Sequence, residues 1–92
     1  MIRTFRDSQS RTFALGGPCK FSGMDEVRAR QRLTQLHAAT TLQDLGRLNS
    51  VGLHKLKGDL KEFWSIDVSG PWRLLFRFHK GDAYEVHFYD PH

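Results

Sequence analysis

The spacing of apolar residues changes between the two halves of this chain, and that change is the strongest constraint on its fold. From Leu53 onwards, the spacing of apolar side chains changes to every second position, which is the period of a β-strand with one buried face. The residues that this period predicts to face inward are Trp64, Ile66, Val68, Trp72, Leu74, Phe76, Phe78, Tyr84, Val86 and Phe88. The segments "SGP" (69–71) and "KGD" (80–82) supply turns between three strands. The sequence therefore predicts an antiparallel meander in its second half.

The first half of the chain carries helical signals instead. "SQSRTFALGG" (8–17) predicts one or two helical turns that end at a Gly-Gly-Pro breaker. A longer helix is predicted after Ser22, which together with Asp25 has the form of a capping box. Its apolar stripe consists of Ala29, Leu33, Leu36 and Thr40. The arginines beside this stripe, including Arg32, are expected to face mostly solvent. A third short helix is predicted at "TTLQDLG" (40–46).

Helices followed by an antiparallel meander predict an α+β fold, in which a small antiparallel β-sheet packs against N-terminal helices. The alternating segment "MIRTF" (1–5) is expected to form a short edge strand. We expect residues 1–92 to form a single domain, because a chain of this length buries only roughly 60–65% of its unfolded surface and builds one core.

Composition narrows the class of protein. The single cysteine, Cys19, permits no internal disulfide and fits a reducing cytoplasm. Apolar runs are only a few residues long, so neither a membrane span nor a secretory leader is predicted. The formal net charge is +4 and the isoelectric point is about 9.6, which favours a polyanionic partner.

A cluster of cations precedes the first long strand. The stretch "LHKLKGDLKEFWSI" contains His54, Lys55, Lys57 and Lys61. On an extended chain Lys55 and Lys57 share one face, where they would form a grip for a phosphate. The alternative is a solvated sheet edge that lysines protect from pairing with other chains.

Two arginines lie on the polar face of the predicted middle strand. Arg73 and Arg77 alternate with the aromatic core positions, and the planar guanidinium fork suits phosphate oxygens. The alternative is that these arginines form cross-strand ion pairs with Asp67 or Glu85.

The last residues carry a further pair of titratable groups. Asp90 and His92 are two residues apart, so on a strand they share a face and the carboxylate could orient the imidazole. The alternative is a surface histidine at a loose chain end. Among the other histidines, His87 is expected to face solvent. The sequence has no zinc-ligand spacing and no glycine-rich phosphate loop, so no metal or other cofactor is expected.

Histidine, aspartate, lysine and arginine together suit the cleavage of RNA by its own 2′-hydroxyl. That reaction needs a base for the hydroxyl proton, an acid for the departing 5′-oxygen and cations around the phosphate. Imidazole suits both proton transfers, which are worth about 10²–10⁴-fold in rate. Lysine and arginine stabilise the growing negative charge.

The sequence resembles the HigB toxins of the RelE/ParE superfamily of bacterial toxin–antitoxin systems. The resemblance covers nearly the whole chain. It is carried by "MIRTF", "LHAATTLQDL", "GLHKLKGDLKEFWSIDV", "GPWRLLFRFHKGDAYEV" and the closing "YDPH".

This resemblance implies a ribosome-dependent endoribonuclease that cuts mRNA in the decoding site. It implies a HigA-type helix-turn-helix antitoxin that neutralises the toxin, in a complex that contacts operator DNA only through the antitoxin. Carried over by position, the catalytic candidates are His54, Lys57, Asp90 and His92, with Arg73 as a phosphate ligand. Lys55, Lys61 and Arg77 are further candidates for binding RNA or phosphate.

One position departs from the family. HigB toxins usually end Asp-Tyr-His, and this chain has Pro91 in place of the tyrosine. Proline offers no phenol and no strong stacking surface, so we expect a weaker nuclease, or one in which Tyr89 or the ribosome positions the RNA. The alternative function is a catalytically degenerate or ParE-like toxin that binds its antitoxin or gyrase without cutting RNA. A general RNA-binding module ranks last, because most aromatic residues are predicted to face inward.

Overall fold

A computed structural model of the protein, which describes residues 1–48 and 50–91, shows helices that precede an antiparallel sheet. In chain order, the elements are α1 (Ser8–Ala14), α2 (Glu26–Ala38), α3 (Leu42–Gly46), β1 (His54–Lys55), a 3-10 turn (Gly58–Leu60), β2 (Trp64–Ser69), β3 (Trp72–His79) and β4 (Asp82–Tyr89). The strand order is β1-β2-β3-β4, and each neighbouring pair is antiparallel. The predicted α+β fold is confirmed.

The helices begin at side chains that cap them, although one cap differs from the prediction. Asp25, not Ser22, caps α2: its Oδ1 accepts a hydrogen bond from Arg28 N at 3.0 Å. Ser22 lies before the turn at Gly23, which has a φ of 77°. The carbonyl oxygen of Ser22 accepts a hydrogen bond from Trp72 Nε1. The third helix is present as predicted, and Thr41 and Asp44 form a capping box at its start.

Arg32 is buried, which contradicts the expectation that it faces solvent. Its guanidinium donates to Asp67 O at 2.7 Å, to Gln35 Oε1 at 2.9 Å and to Ser50 O at 3.0 Å. Burial lowers the pKa of Arg32. Hydrogen bonding to two backbone carbonyls explains why this position of α2 accepts a buried charge, and it fixes α2 against β2 and the preceding loop.

The core lies between the helices and the inner face of the sheet. The most deeply buried members of this core are Phe13, Ala29, Leu36, Leu45, Val51, Ile66, Leu74, Phe76, Ala83 and Val86. Ala83 takes the inward position predicted for Tyr84, because β4 contains an irregularity at Glu85, which has a φ of 51°. Tyr84 therefore pairs with Arg77 on the opposite face.

The first residues of the chain cover the free edge of β4. Ile2 and Phe5 form two isolated parallel bridges with Ala83 and Val86, where the sequence predicts a short edge strand. The hydroxyl of Thr4 accepts a hydrogen bond from Glu85 N at 2.8 Å, which satisfies the backbone at the irregularity.

Candidate functional site

The outer face of the sheet, opposite the helices, carries one row of residues across all four strands. His54 pairs with Ser65, Ser65 with Leu75, and Leu75 with His87. The three inner members of the row are 1–6% exposed. The outer face is therefore partly covered, and His54 lies at its edge.

The segment between β1 and β2 provides this cover. The φ of 66° at Gly58 lets the chain turn, and Leu56 N donates to Phe63 O at 3.1 Å to close the loop. Phe63 packs edge-on to His87, with ring centroids 5.6 Å apart. The loop thus holds His54 and Lys57 beside the outer face.

A concavity of about 280 Å³ opens on this face, and we call it the cup. Its lining residues are His54, Leu56, Lys57, Leu60, Ser65, Arg73, Leu75, Tyr89 and Pro91. Three residues predicted from the sequence, His54, Lys57 and Arg73, therefore meet at one site. His54 lies in β1, Lys57 lies in the loop that follows β1, and Arg73 lies in β3.

The guanidinium of Arg73 is held by one carboxylate and two backbone carbonyl groups. Its Nε lies 3.1 Å from Asp67 Oδ1, and its Nη1 donates to Gly70 O at 3.0 Å and to Trp72 O at 3.1 Å. Among the described residues, Nη2 has no hydrogen-bond partner. The ion pair with Asp67 is thus present, as the structural alternative predicts, and the guanidinium keeps one edge for another ligand.

The end of the chain reaches the same concavity. Tyr89 is the register partner of Arg73, and Pro91 lines the cup. Asp90, which lies between them in sequence, is half-buried. His92, the fourth catalytic candidate, falls outside the described residues.

The remaining cationic candidates line a different concavity. Lys55, Lys61 and Arg77 border a space of about 830 Å³, which we call the hairpin pocket. Arg77 contacts Glu85 at 2.8 Å and Glu62 at 3.2 Å, and the hydrogen bond with Glu85 is the main cause of its raised pKa. The carboxylates of Glu62 and Glu85 thus already pair with the guanidinium of Arg77, which the sequence predicted to bind phosphate.

Lys55 and Lys57 do not form a grip on one face. β1 ends at Lys55, whose Nζ lies 5.2 Å from the ring centre of Trp64. Lys57 precedes the 3-10 turn and lines the cup instead. The prediction assumed an extended chain across both lysines, and the turn after β1 separates them.

His87 is 6% exposed, so the expectation that it faces solvent was wrong. Its Nδ1 donates to Glu85 O at 2.9 Å, and desolvation lowers the pKa of His87. Its ring contacts Tyr89 at a centroid distance of 6.3 Å. The period-two pattern placed His87 on the correct face, but it contained no signal that Phe63 covers this face.

Sequence reasoning did not identify Ser65, Leu60 or Leu75 as part of the site. Ser65 alternates with the inward-facing residues of β2, and Leu75 lies between Arg73 and Arg77 in β3. The single available signal was that leucine among arginines in β3, which marks a second, smaller apolar surface.

Two features are absent from the described part of the chain. Residues 1–48 and 50–91 contain no group of three His, Cys, Asp or Glu side chains arranged to hold a metal ion. No helix in those ranges is long and apolar enough to cross a membrane.

The chain is similar to known proteins along its length. Residues 19–92 match the family of HigB-like toxins, described as the RelE-like toxin of the type II toxin–antitoxin system HigB. The chain is 36% identical, over 93 residues, to an endoribonuclease HigB of Proteus vulgaris, and the alignment covers 100% of both proteins. Both similarities include every residue that lines the cup.

Proposed function

The chain belongs to the HigB-like family of RelE-like toxins of type II toxin–antitoxin systems, and from this premise we propose that it is an endoribonuclease that cleaves mRNA at the cup. The observation that carries the proposal is the convergence of His54, Lys57 and Arg73 on one concavity that Pro91 also borders. The relative from Proteus vulgaris is named an endoribonuclease, which supports the same activity here.

In the proposed reaction the 2′-oxygen of RNA attacks the adjacent phosphorus and the bond from phosphorus to the 5′-oxygen breaks. One of His54 and His92 acts as the base that removes the proton of the 2′-hydroxyl. The other acts as the acid that gives a proton to the departing 5′-oxygen. Asp90 orients or tunes one imidazole. The base and the acid are assigned to the two histidines as a pair and not to individual residues.

Lys57 and Arg73 hold the scissile phosphate. The exposed ammonium of Lys57 supplies a point charge, and the held guanidinium of Arg73 supplies directed N–H groups. These residues fill every role that the reaction requires, so the proposed chemistry needs no metal. Lys55, Lys61 and Arg77 would bind RNA further from the cleaved bond, with a smaller share from Arg77 because Glu62 and Glu85 already pair with it.

We place the reaction on mRNA bound to the ribosome. A cup on one outer face leaves the RNA chain exposed on its other sides, so a second surface is needed to hold a flexible substrate in line. Purified toxin should therefore cut a translated transcript on ribosomes much faster than the same transcript alone. Equal rates on free and ribosome-bound transcript would contradict this step.

Membership of this family of toxins implies an antitoxin partner. We propose that this antitoxin is a helix-turn-helix protein of the HigA type. The toxin would contact operator DNA only through that partner, and the pair would act in the cytoplasm. The basic character of the chain, with a net charge of +4, favours an acidic toxin-binding segment in the antitoxin.

The test is to induce the chain without an antitoxin and to map the 5′ ends of cellular mRNA. Cuts that fall within translated regions, and that disappear with His54→Ala and with His92→Ala, are the expected result. Each substitution should lower cleavage by about 10²–10⁴-fold. His37→Ala, an exposed histidine of α2 that lines neither the cup nor the hairpin pocket, is the matched control and should cut as wild type does.

The second candidate is a toxin that binds without cutting RNA, and the exposed proline at position 91 favours it. Intact transcripts together with DNA damage on induction would identify a gyrase poison. Intact transcripts without growth arrest would identify a degenerate toxin. Persistent cleavage in His92→Ala would instead refute the role assigned to that residue.

A further inference from the structure

Asp67 contacts three other parts of the fold at once. Its backbone N–H donates to Val51 O at 2.6 Å, and its carbonyl oxygen accepts a hydrogen bond from Arg32 Nε at 2.7 Å. Its carboxylate oxygen Oδ1 lies 3.1 Å from Nε of Arg73, the register partner of Asp67 in β3. The two backbone hydrogen bonds join β2 to the segment before β1 and to α2, so elements outside the β2–β3 hairpin fix the position of Asp67.

The carboxylate oxygen that faces Arg73 is unusual for a residue with a purely structural role. Within residues 1–48 and 50–91, Oδ1 is the one buried side-chain nitrogen or oxygen that has no well-aligned hydrogen bond. The ion pair with Arg73 is short, but the Nε–H group does not point at Oδ1 as a good hydrogen bond requires. A buried polar atom without an aligned partner lowers stability, and native proteins keep such atoms mainly at functional sites.

The ion pair contributes little to the stability of the fold. The side chain of Asp67 is 41% exposed and that of Arg73 is 35% exposed, and ion pairs this accessible to water are weakly stabilising. An asparagine has nearly the same size and would fill the same place without the desolvation of a charge. The effect of the carboxylate on Arg73 therefore explains its presence better than any effect on stability.

The contacts of Arg73 show what this carboxylate can do. Nη1 donates to the carbonyl oxygens of Gly70 and Trp72, at 3.0 and 3.1 Å, and the charge of Asp67 attracts Nε. A planar guanidinium that is held at both nitrogens has one orientation, so Nη2 has a fixed direction in the cup. Without the carboxylate, only Nη1 would be held and the group could turn about that contact.

We infer that Asp67 is a positioning residue of the nuclease, whose carboxylate fixes the orientation of the Arg73 guanidinium so that Nη2 meets the scissile phosphate. This inference rests on the proposed function, because it takes Arg73 as a ligand of that phosphate. Asp67 itself does not touch the RNA. Because its negative charge also makes the cup less positive, Asp67 raises the rate of cleavage while it lowers the affinity for phosphate.

The first experiment measures single-turnover cleavage of ribosome-bound mRNA by wild type and Asp67→Asn. The maximal rate should fall by about 10- to 100-fold, because a displacement of about 1 Å at a reacting group costs up to about 10²-fold. The toxin concentration that gives half of this rate should stay the same or fall, because the cup becomes more positive. An unchanged maximal rate, or weaker binding as the main effect, overturns the inference.

The control variant for charge is Asp59→Asn. Asp59 is an exposed carboxylate in the 3-10 turn, between Lys57 and Leu60, which both line the cup. This substitution changes the net charge near the cup by the same amount as Asp67→Asn. It should cut as wild type does, and a rate loss equal to that of Asp67→Asn would mean that charge alone causes both effects and would overturn the inference.

The second experiment separates positioning from a general effect on the fold. In an Arg73→Ala background, Asp67→Asn should change the cleavage rate by less than about 2-fold, because no guanidinium is left to orient. A loss as large as that in the wild-type background would show that Asp67 acts through the fold and not through Arg73, and it would overturn the inference.

The third experiment does not depend on cleavage. Proton–nitrogen NMR spectra of the arginine Nε–H groups are recorded for the free protein, and the Arg73 signal is assigned by its loss in Arg73→Lys. This signal should lie apart from that of exposed Arg28 in wild type and move towards it in Asp67→Asn. A signal that does not move overturns the inference. A wild-type chain that never cuts RNA refutes the proposed function, and the NMR signal still decides whether Asp67 fixes Arg73.

Discussion

Arg73 and Asp67 are register partners across β2 and β3, and their side chains form an ion pair with a distance of 3.1 Å between Nε and Oδ1. Oδ1 is buried and has no well-aligned hydrogen bond among the described residues, so the charge of Arg73 is its main partner. The backbone of Asp67 is held as well, because its N–H donates to Val51 O at 2.6 Å. The carboxylate therefore lies at a fixed point from which it orients the guanidinium in the cup.

Gly52 makes room for that carboxylate, and replacing it should disturb the site. A Cβ at Gly52 would clash with Asp67 Oδ2 and lie 2.9 Å from its Cγ. Gly23 also has a positive φ, but a Cβ there meets nothing within 4 Å. Gly52→Ala should therefore lower the free energy of unfolding by about 1–3 kcal/mol more than Gly23→Ala, measured by denaturant titration. Equal losses would mean that backbone strain alone matters at both positions.

Arg73→Lys should impair cleavage although it keeps the positive charge. Lysine cannot reproduce the simultaneous contacts of the guanidinium with Asp67, Gly70 O and Trp72 O, so its ammonium would not be fixed over the phosphate. A displacement of about 1 Å is enough to cost about 10²-fold in rate, which single-turnover cleavage assays would detect. Arg77→Lys is the matched control in β3 and should lose less, because Arg77 lines the hairpin pocket. An equal loss in both variants would contradict the assignment of the phosphate to the cup.

The strand pattern predicted the fold well because alternation directly reports which face is buried. Ile66 and Leu74 are in the core as predicted. The prediction for Tyr84 was wrong because alternation assumes an unbroken ladder, whereas the irregularity at Glu85 inserts an extra residue. The prediction that Arg32 faces solvent was wrong for a different reason. Its hydrogen-bond partners include backbone carbonyls from distant segments, which no local pattern reveals.

The candidate site could be predicted in part. His54 and Lys57 were predicted because their residue types suit the chemistry and because the sequence around them resembles a known family, and the structure places both at the cup. Their separation from Lys55 depends on the turn at Gly58, where a glycine was visible in the sequence but its conformation was not. Ser65 was missed because serine on a strand is ordinary, and the strand pattern alone does not show that this face is covered and the residue buried.

The buried His87 should make stability depend on pH. Its folded-state pKa is lowered by desolvation, whereas the unfolded chain has the ordinary value of about 6.5. The unfolded state therefore binds a proton first, so stability falls as the pH drops below about 6.5 and the loss is complete once the pH is below the lowered folded-state pKa. His87→Phe, which keeps an aromatic ring against Phe63, should show a flatter profile of unfolding free energy between about pH 6.5 and pH 5. Identical slopes in that window would show that His87 does not carry the effect.

The stability of the protein should depend on the hydroxyl group of Ser10 but not on that of Ser65, although both serines are buried. Ser10→Ala removes the acceptor of Phe88 N, and a buried N–H left unpaired costs about 1–3 kcal/mol. Ser65→Ala leaves no described group unpaired, so the free energy of unfolding should stay within about 0.5 kcal/mol of wild type or rise. Thermal unfolding of both variants without RNA makes the comparison. A loss at Ser65 as large as that at Ser10 would mean that the hydroxyl already has a structural partner.

Pro91→Tyr should strengthen cleavage, because position 91 lies on the rim of the cup and is exposed. A tyrosine there adds a stacking surface for a base, and stacking on an aromatic ring is worth about 1–3 kcal/mol per base. It also restores a backbone N–H and removes the restriction on φ. Pro18→Tyr places the same side chain at an exposed proline outside the cup and should leave cleavage unchanged. The assay is cleavage of mRNA on ribosomes by purified toxin, and an equal rate for Pro91→Tyr and wild type would show that position 91 does not limit activity.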